Sequence, residues 1–174
     1  MSEVGGDPIA VDEPQPQLYG FPTSESRDQT VIHVPRERLA DVVMELRDEH
    51  GFNMCIDVTA VDYLAYESPR YLPDGVTAER FEVVVGLLSM RDRTRLRLRV
   101  QVPQHDAVVP TLFDVHPGTE ALEREVFDMF GIRFDGHPDL TRILMPEDWI
   151  GHPLRKDYAV GRIPVQFKGI ENAR

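Results

Sequence analysis

At 174 residues, of which 41% are hydrophobic, the chain has the size and composition of one soluble domain with a single core. Its net charge of −11 disfavours nonspecific attachment to nucleic acid or to an anionic membrane. No apolar run approaches the roughly 20 residues needed to cross a bilayer, and the first residues lack the basic and apolar regions of a signal peptide. We therefore expect a soluble, cytoplasmic protein that contacts a membrane only through a partner.

The cysteine content excludes several redox chemistries. Cys55 is the only cysteine, so the chain has no internal disulfide and no set of thiolates for an iron–sulfur cluster. Its neighbours Met54 and Ile56 indicate a buried strand position rather than a reactive thiol. Neither a GxGxxG nor a GxxxxGK[ST] nucleotide motif occurs. If the protein takes part in redox metabolism, we expect it to carry no redox centre of its own.

The chain begins with an acidic, proline-rich tail over residues 1–29. This stretch contains six acidic residues, one base (Arg27) and four prolines. Such a composition cannot bury enough apolar surface to fold alone, and proline interrupts regular structure. The tail is predicted to be disordered, or extended and ordered only on contact.

Residues 30–130 predict an α+β domain. A short strand over residues 30–34 ends at Pro35, and a helix follows that ends at Gly51. The apolar residues of this helix recur at i, i+3, i+4 and i+7; they are Leu39, Val42, Val43 and Leu46. Two further strands are predicted over residues 55–63 and 81–90.

The clearest single element is a strand over residues 93–102. Aliphatic residues alternate with Arg95, Arg97 and Arg99, which places all the arginines on one face of the sheet. A basic face can follow the phosphates of RNA, but no aromatic residues are present to stack on bases. The favoured alternatives are a solvated face, or a face covered by acidic groups from the chain's own tail or from a partner.

The region after residue 104 predicts two helices. Residues 106–115 predict a short one, with Pro110 in its first turn. A longer helix is predicted between Thr119, a typical N-cap residue, and Gly131, which is placed to end it. Its apolar face comprises Leu122, Val126, Met129 and Phe130.

The polar side of the longer helix is rich in carboxylates. Glu120, Arg124 and Asp128 lie at i, i+4 and i+8, which places the arginine between two acids. Glu123, Glu125 and Asp128 could instead form a catalytic set, but general acid–base catalysis needs carboxylates in one pocket with separated pKa values. The interleaved Arg124 favours a salt-bridge cluster, structural or at an interface.

After Gly131 the hydrophobic periodicity ends, and residues 131–174 predict an extended arm. Two Gly-His-Pro units, around His137 and His152, mark bends, because the residue before a proline is restricted to extended geometry. Trp149 and Tyr158, with several arginines, are residue types that dominate protein interfaces. The sequence therefore predicts an arm that docks on a partner and is sensitive to trypsin when the partner is absent.

The two histidines also raise a zinc hypothesis. Further ligands would come from Asp135, Asp139 or Asp157. The spacing matches no zinc pattern, and no cysteines are available to complete a structural site. We therefore interpret the two units as bends rather than as parts of a metal site.

The same region resembles one known family. Its motifs are Glu123-Arg124-Glu125, Asp128-Met129-Phe130-Gly131-Ile132, Phe134-Asp135-Gly136-His137-Pro138-Asp139-Leu140, Arg142-Ile143-Leu144 and Gly151-His152-Pro153-Leu154-Arg155-Lys156-Asp157-Tyr158. Together they resemble the signature of the 30 kDa subunit (the C subunit) of respiratory complex I, the proton-pumping NADH:quinone oxidoreductase. The likeness is dense over residues 122–158 and looser around Arg80-Phe81-Glu82-Val83-Val84. At two positions where the family leads us to expect tryptophan, this chain has His116 and Ala121.

The resemblance identifies a family signature that is also the expected subunit interface. Its residues are Glu123, Arg124, Glu125, Asp128, Phe130, Gly131, His137, Pro138, Arg142, Trp149, His152, Pro153, Arg155, Lys156, Asp157 and Tyr158. The resemblance implies an α+β fold: a two-layer domain with a mixed or antiparallel sheet and flanking helices, followed by an extended C-terminal segment.

The resemblance further implies a non-catalytic scaffold subunit. Such a chain has no catalytic, cofactor-binding or metal-binding residues, because FMN and the iron–sulfur clusters lie in partner subunits. The foremost partner is the forty-nine-kilodalton subunit (the D subunit), which helps to form the quinone site and which we call the quinone-site subunit. Cluster-carrying subunits of the peripheral arm are further partners, and no nucleic acid is expected. The expected location is the cytoplasmic side of the cell membrane, peripheral and through complex assembly.

The sequence defines the electron donor and the electron acceptor of the complex less closely than it defines the family. Lys156 and Lys168 are the only lysines against many arginines, which indicates a GC-rich, actinobacterial genome and hence menaquinone as the acceptor. An equivalent subunit of a membrane-bound hydrogenase, or of a dehydrogenase with another donor, is the alternative.

Overall fold

The computed structural model describes residues 16–159. Its strands are β1 (Gln17–Leu18), β2 (Phe21–Ser26), β3 (Gln29–His33), β4 (Met54–Asp62), β5 (Phe81–Ser89), β6 (Thr94–Val102), β7 (Val108–Pro110) and β8 (Arg133–Asp135). Its α-helices are α1 (Leu39–Asp48) and α2 (Glu120–Phe130), and short 3₁₀ turns cover Arg36–Arg38, Gln104–Asp106 and Pro117–Thr119. The predicted α+β fold class is confirmed. None of the helices in this part of the chain is long and apolar enough to cross a membrane.

Six strands form a mixed sheet in the order β1-β2-β3-β6-β5-β4. The pair β3–β6 is parallel, because α1 lies in the connection that follows β3, and the other neighbours are antiparallel. Strands β7 and β8 form a separate parallel pair.

The core lies between the helices and one face of the sheet. In β5 and β6, buried aliphatic residues face each other across the strands, for example Val85 opposite Leu98. The predicted apolar stripe of α1 packs into the same cluster, as do Val126, Met129 and Phe130 of α2. We call the opposite face, which carries the arginines of β6, the outer face.

The outer face is covered at one end by the chain itself. Glu82 of β5 is buried there and accepts hydrogen bonds from Arg70 (3.0 Å) and Gln101. Arg99 lies 3.5 Å from the other oxygen of the same carboxylate. An acidic group of the sheet therefore covers this end, and Arg95 at the other end is exposed.

The sheet begins earlier than the boundary predicted at residue 30. Strand β2 pairs with β3 through a two-residue turn, in which Arg27 and Asp28 have φ of 52° and 59°. Such positive angles at both central residues match the twist of a hairpin. Pro22 is tolerated because β2 lies near the sheet edge, where only β1 follows it. The average composition of residues 1–29 gave no indication of this pairing. Residues 1–15 of the predicted tail lie outside the part of the chain that the structure describes.

The short helix predicted over residues 106–115 is wrong. Val108–Pro110 is instead strand β7, paired in parallel with β8. β-Branched valines favour this geometry, and Val109 is buried in the core together with Phe134 of β8. Pro110, which is unfavourable inside a helix, occupies the last position of the strand.

Candidate functional site

Asp128 of α2 is the main attachment point for the residues that follow the helix. Its carboxylate is fully buried and accepts the backbone N–H groups of Ile143 (3.1 Å), Leu144 (2.8 Å) and Met145 (2.8 Å). It also forms an ion pair with Arg142. Burial alone would raise the pKa of Asp128, but the amide of Met145 and the guanidinium of Arg142 hold this pKa below its ordinary value.

Arg142 closes the chain between itself and residue 151 into a loop. Its Nη2 donates to the carbonyl oxygens of Trp149 (2.9 Å) and Gly151 (3.0 Å), and its Nη1 reaches the backbone oxygen of Asp128 (3.3 Å). One mostly buried guanidinium thus connects α2 to two points of the C-terminal segment, which we define as residues 131–159. The fork geometry of arginine permits this, since its donors leave in fixed directions.

Further side chains satisfy the free carbonyls at the end of α2. His152 Nδ1 lies 2.9 Å from the backbone oxygen of Asp128, and Arg155 Nε donates to the backbone oxygen of Phe130. The amide of Leu154 donates to the oxygen of Met129 (3.0 Å). The last turn of a helix leaves such oxygens without internal partners, so the C-terminal segment completes the helix while it packs on it. Burial lowers the pKa of His152.

Glycine is required at position 131 both by its backbone conformation and by the side chains that pack against it. Its φ of 71° ends α2 in the left-handed conformation, as predicted. A Cβ at this position would lie 2.5 Å from His152 Nε2 and 2.6 Å from Arg155 Nη2. Glycine therefore lets these two side chains cross directly over the helix end.

A second attachment joins the C-terminal segment to the end of strand β4. The buried carboxylate of Asp62 accepts two hydrogen bonds from Arg80 (3.0 and 2.8 Å) and one from the main-chain amide of Lys156 (2.9 Å). Arg80 also forms an ion pair with Asp157 at 2.8 Å. Burial alone would raise the pKa of Asp62, but the hydrogen bonds from Arg80 and Lys156 lower this pKa below its ordinary value.

The sequence predicts that Arg124 lies between the carboxylates of Glu120 and Asp128, but in the structure it pairs with only one of them. It pairs with Glu120 at 3.0 Å, but its other nitrogens donate to the backbone oxygens of Thr141 and Arg142, each at 3.1 Å. The difference arises because Arg142 takes the carboxylate of Asp128. Arg124 thus becomes a third contact between α2 and the C-terminal segment.

The three candidate catalytic carboxylates do not line one pocket. Glu123 is buried and accepts hydrogen bonds from Thr111, from the amide of Leu112 and from Thr119. Asp128 is committed to the C-terminal segment, and Glu125 is exposed. The predicted N-cap residue Thr119 therefore uses its hydroxyl on Glu123, not on a backbone amide of α2.

The two Gly-His-Pro units bind to opposite ends of α2. His137 Nε2 lies 3.2 Å from the backbone oxygen of Glu120, and its Nδ1 accepts the amide of Asp139. His152 contacts Asp128, eight residues along, or about 12 Å of helix. The imidazoles are thus held as separate structural contacts, which is why the zinc hypothesis does not fit this arrangement. Pro138 is exposed and Pro153 is half-buried.

Several apolar side chains of the C-terminal segment face outward. They are Ile143, Leu144, Ile150 and Leu154, and Ile150 is 90% exposed. Trp149 is half-buried, and its indole N–H is buried without a partner among residues 16–159. Tyr158 packs so closely on Gly151 that a Cβ there would lie 2.8 Å from its ring. The segment is held internally by polar groups and presents aliphatic groups to the outside.

Comparisons with known proteins decide the family. Residues 32–163 match the family model described as the respiratory-chain NADH dehydrogenase 30 kDa subunit. The chain belongs to this family.

Curated relatives support this membership. Two proteins named as the C subunit of NADH-quinone oxidoreductase, from Mycolicibacterium gilvum and Salinispora arenicola, are 44% and 45% identical over 147 residues, or 83% of this chain. The chain spans only 61% and 56% of the length of these two relatives.

Two solved structures share the fold. One is titled Nqo5 of the trypsin-resistant fragment (1-134); it is 38% identical with a TM-score of 0.61, and the match covers 70% of this chain and 90% of that one. The other is a chain of the membrane-bound sulfane sulfur reductase, described as an archaeal respiratory membrane complex. It is 23% identical with a TM-score of 0.60, and the match covers 88% of this chain and 86% of that one.

The family signature therefore maps onto α2 and the residues that pack on it. Sequence reasoning missed two of the contacts, Asp62 and Arg80. A signal was present: Val58, Ala60 and Asp62 share the inward face of β4, so alternation placed an acid in the core. A charge at such a position needs a partner, and Arg80 provides it.

Proposed function

We propose that this chain is a non-catalytic scaffold subunit in the peripheral arm of a proton-translocating NADH:quinone oxidoreductase. In that complex electrons pass from NADH through FMN and iron–sulfur clusters, held by partner subunits, to a quinone, for which menaquinone is our proposal. The chain positions the quinone-site subunit, its foremost partner. It lies on the cytoplasmic side of the membrane and reaches it only through the complex.

The observation that carries the proposal is the way in which the C-terminal segment is built. Buried charges at Asp128 and Asp62 fix its backbone on the domain. Its aliphatic side chains meanwhile point to solvent, where they gain nothing in an isolated chain. Exposed apolar groups held on a rigid support are typical of protein interfaces. The signature residues of the family thus act indirectly, since most of them position this surface.

The exposed apolar groups can supply substantial binding free energy. Full burial of one aliphatic side chain contributes about 1.5–3 kcal/mol. The most exposed of them, Ile150, is therefore the best single position for a test, because its side chain makes few contacts within the chain. A charge placed there would disturb a partner surface and leave the fold of the subunit unchanged.

The test is co-purification of this chain with the quinone-site subunit. We expect Ile150→Asp to abolish the complex while the isolated variant melts at the wild-type temperature. Tyr71→Asp is the matched control, since Tyr71 is 92% exposed and lies in the loop between β4 and β5. Equal recovery of the quinone-site subunit with both variants would contradict the proposed docking surface.

The electron donor is tested on the purified complex. We expect a complex that contains this chain to oxidise NADH, to bind FMN outside this subunit, and to reduce menaquinone. Oxidation of hydrogen without NADH activity would instead identify a hydrogenase with an equivalent subunit.

A further inference from the structure

We propose that the outer face of the sheet is a second docking surface, which binds an acidic amphipathic helix of another subunit. The surface, called the outer-face patch, comprises Met54, Ile56, Leu88, Met90, Arg95 and Arg97. It lies on strands β4, β5 and β6 and at the start of the turn that follows β5. The inference rests on the proposed function in one respect, namely that the partner is a subunit of the same complex.

One half of the outer-face patch is apolar. Met54 lies directly opposite Leu88 in the β4–β5 pair, and Met90 is the first residue after the end of β5. Ile56 sits at an irregularity of β4 and lies over Gly86, where a Cβ would be 3.2 Å from its Cγ1. Met54 is 46% exposed and Met90 is 60% exposed. Apolar side chains of this size, clustered and exposed on one face, indicate an interaction site.

The other half of the patch is basic. Arg95 lies opposite Leu88, and Arg97 lies opposite Gly86 on β5. Arg95 is exposed, and Arg97 is half-buried and donates to the side chain of Gln29 at 2.7 Å. The exposed Asp57 lies opposite Gly86, and Asp28 lines a hollow together with Arg95, where Arg27 offsets its charge. Glu82 is committed to the opposite end of the face.

The local charge is therefore positive on a chain whose net charge is −11. Charge complementarity across an interface favours a partner of opposite sign and rejects others. An acidic partner fits this half of the patch, and the apolar half favours a partner with apolar side chains over a simple polyanion such as RNA. The partner must therefore present an apolar edge beside an acidic edge.

The dimensions of the patch fit one helix. Neighbouring strands lie about 4.8 Å apart, so the span from β4 to β6 is roughly 10 Å. This span equals the diameter of one α-helix with its side chains, about 10–12 Å. A helix laid along the strands would place its apolar edge on Met54 and Leu88 and its acidic edge on Arg95. At the other end of the outer face the loop before β5 already covers the sheet, through Arg70 stacked on Tyr63 at 3.6 Å.

The native methionines provide the test, because oxidation of methionine by hydrogen peroxide depends on exposure. Oxidation of Met54 and Met90 is measured by mass spectrometry in the isolated chain and in the assembled complex. We expect at least about fivefold slower oxidation of both in the complex. Met44 of α1, which is 44% exposed on the helical side, is the internal control and keeps its rate.

Two other occupants would overturn the inference. If Met54 and Met90 are already protected in the isolated chain, and neutralising Glu3, Asp7, Asp12 and Glu13 exposes them, the occupant is the chain's own tail. If this protection disappears on dilution, the occupant is a second copy of the chain.

The acidic character of the partner is tested by charge reversal. We expect the double variant Arg95→Glu and Arg97→Glu to restore oxidation of Met54 and Met90 in complexes that still assemble through the C-terminal segment. Arg38→Glu, at an exposed arginine next to α1, is the control and leaves the protection intact. Unchanged protection in the double variant would overturn the acidic helix.

The two proposals fail in different ways. Failure of the wild-type chain to co-purify with the quinone-site subunit would contradict the proposed function. A complex that assembles but leaves Met54 and Met90 as reactive as in the isolated chain would contradict only the docking of a helix on the outer-face patch.

Discussion

Replacing Arg142 with leucine tests whether buried charge holds the C-terminal segment on α2. The substitution keeps an apolar stem but removes the guanidinium that pairs with Asp128 and binds the carbonyls of Trp149 and Gly151. Asp128 then keeps only its hydrogen bonds to the amides of residues 143–145. We expect the segment to detach more often, with the sheet and its core unaffected.

The magnitude follows from the burial of the pair. Removing one partner of a buried ion pair costs about 3–5 kcal/mol. The carboxylate of Asp128 is fully buried, but it keeps three amide donors and Arg142 is slightly exposed, so the lower limit of about 3 kcal/mol applies. At 1.36 kcal/mol per tenfold change, this free energy corresponds to roughly a 150-fold increase in the open population of the segment.

Hydrogen exchange measures that population at the relevant amides. The amides of Ile143, Leu144 and Met145 donate to Asp128, so their exchange reports local detachment. We expect Arg142→Leu to accelerate their exchange by roughly 150-fold, with no change at the amides of β5. Arg91→Leu is the control: its ion pair with Asp92 is exposed and lies away from the segment, and loss of such a pair has little effect on stability.

Two results would refute this reasoning. If exchange at residues 143–145 accelerates no more in Arg142→Leu than in the control, the buried pair does not hold the segment. If the amides of β5 accelerate equally, the loss is spread over the whole domain and the segment is not a separately attached unit.

Three further predictions concern stability and reactivity. Burial lowers the pKa of His116 and His152 in the folded chain, so below about pH 6.5 the unfolded chain binds more protons than the folded chain. The free energy of unfolding should therefore be larger at about pH 7.5 than at about pH 5.5 in urea titrations. Equal free energies of unfolding at the two pH values would contradict this prediction. Gly131→Ala should destabilise the chain by at least about 1–2 kcal/mol through left-handed strain and by displacing His152, whereas Gly118→Ala, where a Cβ has free space, should be nearly neutral in the same titrations. Burial raises the pKa of the Cys55 thiol to about 11, so at pH 8 about one molecule in a thousand carries a thiolate, and rapid labelling by iodoacetamide in the folded chain would show this to be wrong.

Strong periodicity explains why most of the central elements could be predicted. The alternation in residues 93–102 and the apolar spacing in α1 encode burial directly, so both elements form as predicted. The end of α2 at Gly131 was predictable for a similar reason, because its left-handed conformation favours glycine. In each case one local physical requirement decides the structure.

Pairings between distant residues could not be predicted from local pattern. Strand β7 forms because β8, which follows only after the whole of α2, supplies its hydrogen bonds. Asp128 pairs with Arg142 rather than with Arg124 one turn away, since the arm returns over the helix. The attachment of Lys156 to Asp62 joins residues 94 positions apart. The predicted arm is thus held on its own domain, and its docking on a partner stays a proposal.

Limited trypsin digestion with and without the quinone-site subunit tests the central claim most directly. Arg155 and Lys156 are tryptic sites within the C-terminal segment, and Lys156 is exposed in the isolated chain. If the segment docks on the quinone-site subunit, cleavage at these sites should slow by about tenfold or more when that subunit is added in purified form, and Ile150→Asp should remove this protection. Equal cleavage rates with and without the added subunit would contradict the account.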